Sequence, residues 1–446
     1  MEAGLPDGEP RYIARRSPVL ATRGMVACAQ PLAAEAGLQI LRAGGNAIDA
    51  AIAIAAAMAV TEPTSTGLGG DCFVLYRDAR TGVVTGLNGS GNAPAALTIE
   101  RARSTCGITA DGAFNDKRHA HTVTVPGAAA GWADALAKWG TFQLREVLAP
   151  AIRLARAGFP VSPLTAHAWA RGSDVLWRHA AESGSAAAEL LVADSTADHG
   201  LRAPHAGELF TNEALASVLE DLAAAGASAF YGPGSRIAES IVDAVRAAGG
   251  VLSIDDLAAH KSTFPTPVAT EYRGILVHEL PPNGQGLAAL IALNVVNAVV
   301  STPAALDAIR TAAAAASEPL RGAGGVSQAG SPYCSVTLPA PSLARGTGLA
   351  ALGPHGTAAA LHVEIEAMRL AFADARWFVA DPVTSPAPLA SLLSRKYAES
   401  RASAVAPYNA AADVARGSPA VGTDTVSFSV VDADGNAASF INRCAI

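Results

Sequence analysis

The sequence has 446 residues, half of them apolar and 16% charged, with a formal net charge of −7. That composition excludes a disordered chain, and the 32 basic residues, among which Lys117, Lys138, Lys261 and Lys396 are the lysines, form no run of the kind nucleic acid attracts. No apolar stretch reaches the roughly 20 residues of a bilayer-crossing helix: Asp49 and Glu62 bracket the one near 50–60, and Asn294 and Asn297 interrupt the one near 286–300.

The first residues, MEAGLPDGEPRYIARRSP, place no apolar segment behind their charges and do not read as a signal peptide. Cys28, Cys72, Cys106, Cys334 and Cys444 are odd in number and scattered, which suits free thiols in a reducing compartment. A cytoplasmic location is the expectation. Pro31 to Arg42 predicts a helix that opens on Pro and stops at Gly44-Gly45. A second helix follows Asn46, a good N-cap, with Asp49 in its first turn. Its body, AAIAIAAAMAV, is apolar on every face and belongs between layers. After Pro63, the run DCFVLYRD, the turn Arg80-Thr81-Gly82 and VVTGLNG predict a β-hairpin.

Residues 121–160 resume helical spacing, with Gly140 and Gly158 as stops, and 206–260 are largely helical. Strands are predicted at 266–280, ahead of the turn Pro281-Pro282-Asn283-Gly284 and a buried helix GLAALIALNVVNAVV. Residues 301–354, rich in Ala, Gly, Pro and Ser, predict a flexible low-complexity insertion. Helical order returns at AAALHVEIEAMRLAFADARWFVADP. A loose stretch, 404–422, then leads into TDTVSFSVVDADGNAASFI, where alternating Val426, Phe428 and Val430 and the turn Asp434-Gly435 predict a second hairpin. Helices alternating with hairpins define a layered α/β protein with a largely antiparallel sheet.

Gly67-Leu68-Gly69-Gly70 lies between a helix and a strand, the reverse of a phosphate-binding loop, and reads as a tight connection. His119 and His121 are two alternating histidines, too few to suggest a metal centre. No Gly-x-Ser-x-Gly elbow is present. Thr425 stands at the mouth of a strand after a loose stretch. From the residues alone it is either a strand-favouring residue or a nucleophile. A Thr freed by cleavage of its preceding bond carries its own base, an α-amine of pKa about 7.7–8.0.

Eight stretches in order tip that choice: GMVACAQPLAAEAGLQILRAGGNAIDAAIA, TEPTSTGLGGDCFVLYRDARTG, VPGAAAGWADALAKWGT, LAPAIRLARAGFPVS, YGPGSRIAESIVDAVRAAGGVLSIDDLA, YRGILVHELPPNGQG, EAMRLAFADARWFVADP and DTVSFSVVDADGNAASFIN. Together they resemble the γ-glutamyltranspeptidase family of N-terminal nucleophile hydrolases, across roughly residues 23–300 and 355–442. NGSG at 88–91 and GDCF at 70–73 look most like its intracellular, YwrD-like branch. The resemblance implies an αββα four-layer sandwich. It also implies self-cleavage between Asp424 and Thr425 into a large and a small subunit. Thr425 would take a γ-glutamyl group from glutathione or a related amide and pass it to water or an amino acid. No metal or organic cofactor is implied. Residues 1–22 then form an N-terminal extension, 23–424 the large-subunit region and 425–446 the start of the small-subunit region.

Three departures from the family pattern open alternatives. The Arg that pairs with the substrate α-carboxylate would fall at Ser90 or Asn92, and neither has a guanidinium. This favours an amide hydrolase with a different acyl group. Residue 443, where the family tends to carry a hydroxyl, is Arg443, and a cation beside the nucleophile's amine would lower that amine's pKa. Finally, the sequence stops at Ile446, early in the small-subunit region. A chain truncated there would be an incomplete sandwich and a catalytically inactive homologue, with a sheet edge and the apolar face of helix 46–60 uncovered.

Overall fold

The computed structural model describes residues 19–107, 119–183, 186–197, 199–281, 283–316, 349–352, 357–382, 385–407, 409–411, 414 and 425–443. The chain divides into two compact units, Met1–Pro265 with Thr423–Ile446, and Thr266–Gly422.

The first unit is built on a five-stranded sheet. Its strands are β1 (Met25–Ala27), β2 (Cys72–Arg77), β3 (Val84–Gly89), β6 (Thr425–Val431) and β7 (Ala437–Arg443), in the order β1-β6-β7-β2-β3, and every pairing is antiparallel. The two predicted hairpins therefore lie side by side, joined where β7 pairs with β2. In the β6–β7 turn, Asp432 Oδ1 accepts the N–H groups of Asp434 (3.0 Å) and Asn436 (2.9 Å), and Gly435 takes the left-handed conformation the turn needs (φ 83°).

One face of this sheet is dry. Cys72, Val74, Leu87, Phe428, Val430, Ala438 and Phe440 all point into a core shared with helices α1 (Pro31–Arg42), α2 (Ala47–Thr61), α3 (Ala128–Trp139) and α4 (Leu144–Ala157). The alternate positions Ser427, Ser429, Val431, Ser439 and Ile441 are exposed. Of the layered sandwich, the described residues of this unit present one sheet and the helical layer on its dry face.

Helix α2 is the centre of the core. All of its residues from Ala47 to Thr61 are buried, as expected from a sequence with no polar face. Its N-terminus is a capping box: the Asn46 side chain accepts from Ile48 (2.9 Å) and Asp49 (3.1 Å), and Asp49 Oδ2 accepts from the Asn46 N–H (2.8 Å). The expectation that a truncated chain leaves this helix uncovered is wrong. The sheet, α1 and α4 close around it, and α1 approaches so nearly that a Cβ on Gly37 would sit 2.5 Å from Ile54 Cδ1.

The second unit holds the hairpin β4 (Val268–Tyr272) and β5 (Ile275–Glu279), at the predicted place. Its core forms where Leu287, Ile291, Val295 and Val299 of α5 (Gly286–Val300) meet Val363, Ala367, Leu370 and Ala371 of α7 (Ala358–Phe378). Part of the stretch that composition marks as an insertion is ordered: Pro303–Ala316 forms helix α6. Pro at its first position and an alanine run behind it give the highest helix propensity available. Residues 317–348 lie outside the described residues.

Candidate active site

Thr425 is the first residue of β6 and pairs with Arg443, the last residue of β7. One strand further on, Asn442 pairs with Cys72 at the start of β2, and Cys72 pairs with Gly89 at the end of β3. The antiparallel register thus gathers Thr425, Arg443, Cys72, Gly89 and the 90–92 loop at one end of the sheet. Thr425 and the loop are three strand spacings apart, about 14 Å. The residues named from sequence as nucleophile and substrate contacts share an end of the fold without being direct neighbours along the sheet. Asp424 lies outside the described residues.

The 88–92 loop is pinned at every step. Asn88 exchanges backbone hydrogen bonds with Thr263 (2.8 and 2.9 Å). The Ser90 N–H (2.9 Å) and hydroxyl (2.7 Å) both donate to Asn88 Oδ1. The Gly91 N–H donates to Asp71 Oδ1 (3.0 Å), and the Asn92 carbonyl accepts from the Val125 N–H (2.9 Å). Ser90 thus donates twice within the loop, and the Asn92 backbone holds the loop against 125. Beneath the loop, the N–H groups of Gly127 and Ala128 at the start of α3 both donate to the Gly70 carbonyl (2.9 Å each). This is where the predicted helix-to-strand connection Gly67–Gly70 does its structural service.

The floor admits no side chain. A Cβ on Gly91 would lie 1.5 Å from the Val125 oxygen, one on Gly127 2.0 Å from the Gly89 oxygen, and one on Gly131 2.2 Å from Cys72 Sγ. Cys72 is fully enclosed, and burial drives its thiol far above the ordinary range. It packs as a small hydrophobe and is not a nucleophile.

A buried polar cluster joins the same end of β7 to the 61–70 segment. Asn442, with no exposed surface, donates from Nδ2 to Thr66 Oγ1 (2.6 Å) and to the Gly67 carbonyl (3.3 Å). Glu62 Oε1 accepts from Thr165 Oγ1 (2.9 Å), and burial raises the Glu62 carboxyl above its usual range against the opposing bonds from Thr165 and Gln30. Asp71, Asn442, Thr66 and Glu62 escape a reading of the sequence, because each acts through a partner distant along the chain. The adjacency of Asp71 to the glycine run was the available signal for one of them.

His119 caps a short 3₁₀ turn, Ala120–Thr122, that contains His121, and the two rings are 4.7 Å apart. The His119 ring nitrogen accepts the His121 N–H (3.1 Å), a local turn contact. Among the described residues no group of three or more His, Cys, Asp or Glu side chains is arranged to hold a metal.

A hydroxyl residue thus opens a strand inside the sheet of a layered α/β fold, at the end where a glycine-floored loop is locked in place. The comparisons carry this to a family. The sequence matches Gamma-glutamyltranspeptidase over residues 33–318 and 338–444. It is 31% identical over 423 residues to the Glutathione hydrolase-like YwrD proenzyme of Bacillus subtilis (strain 168), covering 95% of this chain and 67% of that one. It is 30% identical to the Acylase ACY 1 proenzyme of Pseudomonas sp. (strain V22), covering 96% and 66%. Among solved structures, cephalosporin acylase from Bacillus halodurans superposes with a TM-score of 0.69 at 33% identity, over 98% of this chain and 68% of that chain. Helicobacter pylori gamma-glutamyltranspeptidase gives 0.68 at 25% identity, over 89% and 95%. The chain belongs to the γ-glutamyltranspeptidase family. It spans about two thirds of the length of the curated relatives it matches.

Proposed function

We propose that this protein is an acyl hydrolase or transferase that cuts itself between Asp424 and Thr425 and uses Thr425 as its nucleophile. The single observation that carries the reading is the place of Thr425: first residue of the strand beside the middle strand β7, at the sheet end that also presents the pinned 88–92 loop. Cleavage would free the Thr425 amine, which takes the hydroxyl proton as the oxygen attacks the amide carbonyl. The amine then returns a proton to the departing amine. Water or an amino acid takes the acyl group in the second step. The two products of self-cleavage stay paired through the β1-β6 and β7-β2 ladders.

The proposed donor is a γ-glutamyl amide of the glutathione type, in keeping with the family name and with the name of the B. subtilis relative. A second reading keeps the mechanism and changes the acyl group. It is favoured by the missing guanidinium at 90 and 92 and by the acylases among the relatives. A cytoplasmic site of action belongs to the same proposal, supported by the free thiols of Cys28, Cys72 and Cys106.

The discriminating assay compares a γ-glutamyl anilide with the 4-aminobutyryl anilide, identical except for the α-carboxylate. A higher kcat/KM on the γ-glutamyl compound supports the first reading. Equal or greater turnover of the 4-aminobutyryl compound supports the second. No turnover of either contradicts both.

A further inference from the structure

An open pocket of about 480 Å³ lies beside α3, and none of the 88–92 loop lines it. Its walls are α3, through Ala130 and Asp134; the short helix Ser228–Tyr231 with the following Gly232-Pro233; and the segment 258–264, through His260, Lys261, Ser262 and Phe264. The volume falls in the range of small-molecule sites, about 300–1,000 Å³.

The wall is firm. The Tyr231 hydroxyl donates to the Pro126 carbonyl (2.7 Å) and accepts the Ala130 N–H (3.1 Å), and the His260 ring stacks on the Tyr231 ring at 5.4 Å. Four of its polar side chains have groups left over. Asp134 and Lys261 carry opposite charges on one cavity, and among the described residues neither forms an ion pair. His260 Nε2 and Ser262 Oγ are buried with no hydrogen-bond partner. Burial pushes the His260 imidazole below its ordinary range even with Asp134 acting the other way, so the ring is neutral near pH 7. Buried polar atoms without partners are uncommon in folded proteins and call for a ligand or water.

We propose that this cavity binds a small zwitterion of the α-amino-acid type, its ammonium group facing Asp134 and its carboxylate facing Lys261. A ligand with only one charge leaves one wall unanswered, and a larger anion meets Asp134. The apolar part of the ligand would rest against Phe264, Ala130 and Ala227, which complete the lining.

The test is calorimetric titration with L-alanine, using ethylamine and propionate as the one-charge controls. The proteins are the full chain and its Asp134→Asn, Lys261→Met and Thr425→Ala variants. Lys261 is exposed, so its replacement leaves the fold intact. The proposal expects L-alanine to bind the wild type and Thr425→Ala alike. It expects a weakening of about tenfold or more in each of the other variants, and for each control. Three results would overturn it: no binding of L-alanine up to millimolar concentration, unchanged affinity in both Asp134→Asn and Lys261→Met, or loss of binding in Thr425→Ala, which would move the site to the nucleophile.

Discussion

Gly127 shows how little room the candidate site leaves at the scale of one residue. Its Cα faces the Gly89 carbonyl so closely that a methyl group would sit 2.0 Å from that oxygen. Neither partner can yield cheaply, since Gly127 also donates to the Gly70 carbonyl at the entry to α3. Gly127→Ala is therefore expected to destabilise the protein by about 1–3 kcal/mol, read from urea denaturation, and to loosen the 88–92 loop. Glu62 makes a different prediction. Its carboxyl has a folded pKa raised above the ordinary 4.5 by burial. The folded state therefore holds that proton more tightly than the unfolded chain. The stabilising contribution is full below about 4.5 and is lost as pH rises through the folded pKa. Glu62→Gln removes this term while keeping an acceptor for Thr165. Melting curves should show the variant gaining on the wild type from pH 4 to pH 7; a constant difference in Tm across the range would refute it.

At the scale of elements, α2 is the part most open to reading from the chain. A helix with no polar face has one stable location, and Asn46 with Asp49 states where it begins. Ile54, fully buried and set against Gly37 of α1, is its keystone. Ile54→Ala should cost about 2–5 kcal/mol in chemical denaturation, because α1 and the sheet cannot both collapse into the space. The two hairpins were equally legible, from alternation and from the Asp434-Gly435 turn. Helix α6 was not. An alanine-rich, low-complexity run has the same composition whether it serves as linker or helix, and only its packing against Ile309's neighbours in the second unit's core separates the two. Pairing between hairpins was also beyond a local reading: β7 meets β2 across more than 350 residues, and no spacing rule connects Asn442 to Thr66, 376 positions away.

For the whole molecule, the sequence motifs indicated the family more surely than any one of them indicated a catalytic part. Thr425 by itself is an ordinary strand residue. It becomes a nucleophile candidate through the order of eight stretches around it and through the sheet register that sets it at the end shared with the 88–92 loop. The specificity question rests on Ser90 and Asn92, whose lack of a guanidinium is plain from the sequence, while the Ser90 hydroxyl's bond to Asn88 emerges only from the fold. The central claim is that Thr425 is released as a chain terminus, and intact-mass measurement of the purified protein at near-neutral pH tests it most directly. The account predicts two species divided between residues 424 and 425 in the wild type, and one undivided chain in Thr425→Ala. A single undivided mass for both proteins would contradict it.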